Sequence, residues 1–159
     1  MKPVTDPKSF KQSYLETLYC AENIHFTLQT ALEGDILWNR RLFALITAAN
    51  PRSNLLSDEE NRLRNALLER ELLARGWRYG PSFGTDRAAS WREDGFIVWD
   101  ETADNLLELG REFEQNAIVY GAGGQARKVP FCPRPGWVAL GWCENRELER
   151  FTAKLEPEL

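Results

Sequence analysis

The sequence predicts an α+β fold: a single-domain mixed or antiparallel sheet of about five to seven strands with two or three packed helices. Three observations carry that expectation. At 159 residues, 43% of them hydrophobic, the chain is long enough to bury a core without a metal or disulfide staple. Segments whose apolar residues recur every three or four positions are interleaved with segments whose apolar residues alternate or run together. No connection between these segments is longer than a loop, and no unit repeats.

The elements follow in order. Asp6 and Pro7 are start signals for a first helix, Lys8 to Ala21, on which Phe10, Tyr14, Leu15 and Leu18 recur at helical spacing. Ile24, Phe26 and Leu28 then alternate with His25, Thr27 and Gln29, the period of a strand with one wet face. After the turn at Glu33-Gly34-Asp35, Leu42 to Ala48 reads as a strand buried on both faces, ended by Asn50-Pro51. Ser57 and Glu60 form a capping box for the longest helix, which should run to Arg75 and stop at Gly76. Trp77 to Phe83 and Gly95 to Trp99 are predicted as strands joined by a turn or long hairpin. Thr102 opens a helix striped by Leu106, Leu109, Gly110 and Phe113. Ala117 to Tyr120, Arg127 to Phe131 and Trp137 to Trp142 are three further short strands. They are divided by a hairpin turn at Gly121 to Gly124 and by the turn Pro133-Arg134-Pro135-Gly136. Glu144 to Leu155 is expected as a charged closing helix.

Composition and spacing argue against several classes of function. With 20 Lys and Arg against 24 Asp and Glu, the net charge is −4, which supplies no bulk basic field and argues against nucleic acid. The nearly apolar run Leu42 to Ala49 is much shorter than a membrane span, and the first residues lack the pattern of an export signal. Cys20, Cys132 and Cys143 are an odd set without tight spacing, which suits reduced thiols in a cytoplasm. Cys20 with His25 and Cys132 with Cys143 do not show the paired spacing of a zinc site, so no metal and no cofactor is expected. On the long helix, Arg62, Arg64, Arg70 and Arg75 are interleaved with glutamates and read as a solvated face. That helix carries two competing apolar stripes. One joins Asn61 and Asn65 to Leu68 and Leu72, the other comprises Leu63, Ala66, Leu67, Leu73 and Ala74, and spacing does not choose between them.

The most informative signal is a set of polar side chains at element ends. Asn50 ends the buried strand, Asn61 lies on the long helix, Glu93 begins the GFIVW strand and Gln115-Asn116 precedes AIVY. If the two strands are neighbours, these amides converge on one sheet edge, with Glu93 at the rim. Polar groups there must bond to one another, to water or to a ligand.

At ITAANP (Ile46 to Pro51), LSDEEN (Leu56 to Asn61), GFIVW and EFEQNAIVY (Glu112 to Tyr120) the chain resembles the bacterial family called domain of unknown function 3293. The likeness runs from about residue 42 to 121 and falls on Thr47, Asn50, Pro51, Asn61, Gly76, Glu93, Phe113, Gln115 and Asn116. It divides the domain, residues 1–159, into an N-terminal helix and strand (1–41), a family-like core (42–121) and C-terminal strands and helix (122–159). Asp94-Gly95 after Glu93 departs from the family pattern. The family has no assigned reaction, so the resemblance implies a shared site without naming its ligand.

Three readings of function follow. The first is a pocket built from Asn50, Asn61, Gln115, Asn116 and Thr47 that binds a small polar metabolite or nucleotide. The second is a hydrolase-like enzyme on the same pocket, with Glu93 as candidate catalytic general base. The third is a protein-protein interaction module that uses Trp137 and Trp142 as its contact surface. Oligomeric state is not legible.

Overall fold

Eight antiparallel strands close into a barrel in the computed structural model, which describes residues 6–38, 41–122 and 136–158. They are β1 (Leu18–Ala21), β2 (Ile24–Gln29), β3 (Leu42–Ile46), β4 (Arg78–Thr85), β5 (Arg92–Trp99), β6 (Ala117–Ala122), β7 (Trp137–Trp142) and β8 (Glu147–Leu155). Around the barrel the order is β1, β2, β8, β7, β6, β3, β5, β4, and β4 pairs again with β1. Three helices accompany them: α1 (Lys11–Leu15), α2 (Asp58–Ala74) and α3 (Ala103–Glu112). No helix among the described residues is long and apolar enough to cross a membrane.

This corrects the open α+β sheet expected from the sequence, and two segments account for the difference. The predicted first helix breaks after one short turn of α1, and Leu18–Ala21 become a strand paired with β2 on one side and β4 on the other. The predicted closing helix is β8, paired with β7 and β2. Each misread segment carries a false helical signal. In the first, the spacing of Tyr14, Leu15 and Leu18 runs on past the helix end. In the second, charged residues of high helix propensity mask an alternation in which Phe151 and Ala153 are buried. Pairing on both flanks, invisible to local pattern, decides both cases. The predicted strand at 127–131, the turns at 123–124 and 133–135, and Cys132 lie outside the described residues.

The barrel wall has two apolar faces. Inside it, Phe26, Phe43, Leu45, Ile97, Val119, Leu140, Trp142 and Phe151 form one cluster. Outside, Ala44, Ile46, Val98, Ile118, Tyr120 and Ala139 pack beneath Leu68 and Leu72 of α2 and Leu106, Leu107 and Leu109 of α3. Strands β3, β6 and β7 read as buried on both faces because they line the barrel and support the helices at once. On α2 the stripe with Asn61 and Asn65 is the inward one, whereas Leu63, Leu67 and Leu73 are more than half exposed, at 52%, 54% and 62%. The capping box at Ser57 and Glu60 is present, and the helix ends at Arg75 before Gly76, which takes φ +68°. Gly95 permits the close approach of β5 to the end of β3, since a Cβ there would stand 2.6 Å from the Ile46 carbonyl oxygen.

Candidate functional site

The end of β3, the start of α2, the start of β5 and the turn before β6 meet at one mouth of the barrel. Strand β3 stops at Ile46, and the chain then bends sharply through Asn50, Arg52 and Ser53, all with positive φ. This bend is fixed from two sides. From α2, Asn65 Oδ1 accepts from the Ala48 amide at 2.9 Å, and Arg64 Nε donates to the Ala48 carbonyl at 2.6 Å. From the segment after α3, Gln115 Nε2 donates to the Ala49 carbonyl at 3.0 Å, and Asn116 Nδ2 donates to Ser53 Oγ at 2.9 Å. Arg64 also reaches the Phe113 carbonyl at 2.7 Å and thereby ties both segments to one guanidinium. Its role is therefore positional, not the solvated face predicted from the interleaved charges.

Asn50 and Asn61 form a reciprocal pair. The Asn50 amide donates to Asn61 Oδ1 at 2.8 Å, and Asn61 Nδ2 donates to Asn50 Oδ1 at 2.8 Å. Asn50 Oδ1 also accepts from the Leu56 amide at 2.9 Å. The remaining arm of Asn50, Nδ2, donates to Glu93 Oε2 at 2.8 Å. Thr47 Oγ1 bonds the Asp94 carbonyl at 2.7 Å and so anchors the strand that carries Glu93. The structure thus joins Asn50, Asn61 and Glu93 directly and places Thr47, Gln115 and Asn116 in the same neighbourhood.

Glu93 stands on the inner face of β5, in register with Gly84 of β4 and on the same side as Gly95 and Ile97. It lines a cavity of about 430 Å³ at the barrel mouth. Tyr19, Leu45, Ser82, Ala117 and Val119 form its walls, and Phe10, Ser13 and Tyr14 of the N-terminal segment contribute to its cover. Burial holds the Glu93 carboxyl above its ordinary pKa of 4.5, an effect that the bond from Asn50 partly offsets. Burial also pushes the Tyr14 phenol above its usual range, with the Glu93 charge as the next cause, so these groups share one electrostatic environment. Glu93 Oε1 has no protein partner among the described residues.

The sequence did not point to Tyr14, Tyr19 or Trp91 as cavity residues. Tyr14 and Tyr19 fell in a predicted helix with no link to the amide set, and only the pairing of β1 with β4 carries them to Glu93. The Cys20 and Cys143 thiols are buried, and burial pushes them up to about 11 and about 12, which marks them as unreactive packing groups. Trp137 and Trp142 are 3% and 1% exposed, which corrects the expectation that they form a contact surface.

Over residues 46–118 the chain matches the family described as protein of unknown function DUF3293. No curated protein and no solved structure matches it. The DUF3293 stretch starts at the last residue of β3 and ends inside β6, so it contains α2, β4, β5, α3 and the whole amide network. Strands β1, β2, β7 and β8 and the aromatic cover at Phe10, Tyr14 and Tyr19 lie outside it.

Proposed function

We propose that the barrel mouth binds a small ligand, with the ligand's polar end against Glu93 and its apolar body against the cavity wall. One observation carries this reading. A carboxylate taken out of water costs free energy unless it is fully partnered, yet Glu93 spends one oxygen on Asn50 and turns toward an open cavity with the other unpaired. The cavity volume falls in the range of roughly 300 to 1,000 Å³ that suits small ligands. Asn50 and Asn61 hold the carboxylate, while Thr47, Gln115 and Asn116 fix the backbone around it. A thermal-shift screen of small molecules on the wild type and on Glu93→Gln tests the reading. A compound that raises the wild-type Tm and fails on the variant supports it. Compounds that stabilise both equally would remove Glu93 from the site.

A hydrolase-like enzyme with Glu93 as general base is a second reading, favoured by the raised pKa, since a more basic carboxylate takes a proton from water more readily near neutrality. Turnover of a bound compound that is lost in Glu93→Gln while binding of the product persists would select this reading over binding alone.

A further inference from the structure

We infer that the ligand's polar end is a protonated nitrogen, so that the site takes an organic cation such as an aryl-alkyl amine or amidine and not a phosphate or carboxylate. This rests on the cavity reading above and goes beyond it by assigning the ligand's charge.

The charge of the mouth and the unpaired oxygens beside it lead there. Amide side chains ordinarily offer donors and acceptors alike, but here each amide nitrogen already gives at least one hydrogen to the protein. Asn50 Nδ2 serves Glu93, Asn61 Nδ2 serves Asn50, Gln115 Nε2 serves the carbonyls of Ala49 and Phe113, and Asn116 Nδ2 serves Ser53. Three side-chain oxygens accept nothing from the described residues. Glu93 Oε1, Gln115 Oε1 and Asn116 Oδ1 have no protein partner among the described residues, and all three residues line the cavity. Glu93 is also the one acidic or basic side chain among the described residues of that lining. An anionic headgroup would meet a like charge with no Lys, Arg or His to offset it, at a cost that rises as water is excluded. A cation meets a carboxylate, amide carbonyl acceptors and the aromatic side chains of Tyr14, Tyr19 and Trp91, which also line the cavity.

The experiment uses the full chain and three probes that share a phenyl body: phenethylamine, 2-phenylethanol and phenylacetate, titrated by calorimetry at neutral pH. The amine should bind at least about tenfold more tightly than the alcohol, and the acid should not bind detectably. In Glu93→Gln the amine should fall to the affinity of the alcohol. The comparison of the three probes on the wild type stands even if the variant fails to fold. If the alcohol binds as well as the amine, or the acid binds more tightly, the cation inference fails while the cavity reading survives. If none of the probes binds, and a broad neutral and anionic library also leaves the Tm unchanged, both fall.

Discussion

Asn50 adopts a left-handed backbone conformation, φ 47° and ψ 65°, which costs most residues about 1 to 2 kcal/mol and which asparagine tolerates better than alanine. Its side chain returns that cost through bonds with Leu56, Asn61 and Glu93. Asn50→Ala should therefore destabilise through both backbone and side chain, with each orphaned group costing about 1 to 3 kcal/mol. Asn50→Gly should be milder because it relieves the backbone part alone, and urea denaturation of the two variants measures the difference. Asn61→Ala should likewise lower stability, since both ends of that amide are used within the pair. Glu93 should behave in the opposite way. Its native pKa lies above that of the unfolded chain, so the folded state holds the proton more tightly. Its contribution to stability is therefore fully present below the unfolded value near 4.5 and is lost as pH rises through the native one. The phenols of Tyr14 and Tyr19, which face the same cavity, are raised and stay neutral throughout this window. Glu93→Gln retains an acceptor for Asn50 and removes the buried charge. Its Tm should exceed that of the wild type at neutral pH, by about 2 to 4 °C per kcal/mol recovered, and the gap should close toward pH 4 to 5 or so. A variant that melts lower at neutral pH would show that the charge is compensated in the free protein.

Elements were legible where their signals are local. The capping box of α2, its stop at Gly76, the Thr102 cap of α3 and the long β4–β5 hairpin are all written in adjacent residues. Ser57→Ala should accordingly cost about 1 kcal/mol of stability by thermal melting, the ordinary value of a helix cap. The convergence of the polar side chains was legible for a related reason. Asn50, Asn61, Glu93 and Gln115 sit at element ends, where an amide or carboxylate needs a partner that its own element does not supply. What the local pattern missed is the two strands, β1 and β8, that close the sheet. Strand β1 has only four residues, all buried, and shows no alternation. In β8, the inward side includes Glu149, whose charge disguises the buried face. The structure explains that glutamate: Lys11 of α1 pairs with it at 2.7 Å, and Trp142 Nε1 donates to it at 3.2 Å. Glu149 thus seats the short helix on the barrel mouth, where Tyr14 also packs edge-on against Trp142 at 6.0 Å. Tyr14→Ala should lift this cover, which quenching of tryptophan fluorescence by acrylamide would report as greater access to Trp142.

At the scale of the whole molecule, closure converts a polar sheet edge into a cavity. In an open sheet the carboxylate of Glu93 would face solvent, whereas β1, paired with both β2 and β4, brings Tyr19 across from it and makes the mouth a partly dry enclosure. The candidate site therefore depends on strands outside the DUF3293 stretch that carries its amides and Glu93: β1, and β2, which β8 in turn holds. This gives a prediction that separates the barrel from the open sheet read in the sequence. Were residues 144–155 a charged surface helix, Phe151→Ala would be mild and removal of the segment would leave the sheet intact. In the barrel, Phe151 is 6% exposed inside the wall, so its truncation should cost about 3 to 5 kcal/mol, as for other buried phenylalanines. Deletion from Glu147 onward removes the strand that bridges β7 to β2 and leaves two edges with unpaired backbone groups. That protein should aggregate or lose its β-sheet circular dichroism, whereas Leu67→Ala on the exposed stripe of α2 should leave the Tm within about 1 °C. A soluble truncated chain that retains its spectrum and the tight placement of Glu93 would mean that the barrel need not close for the site to form.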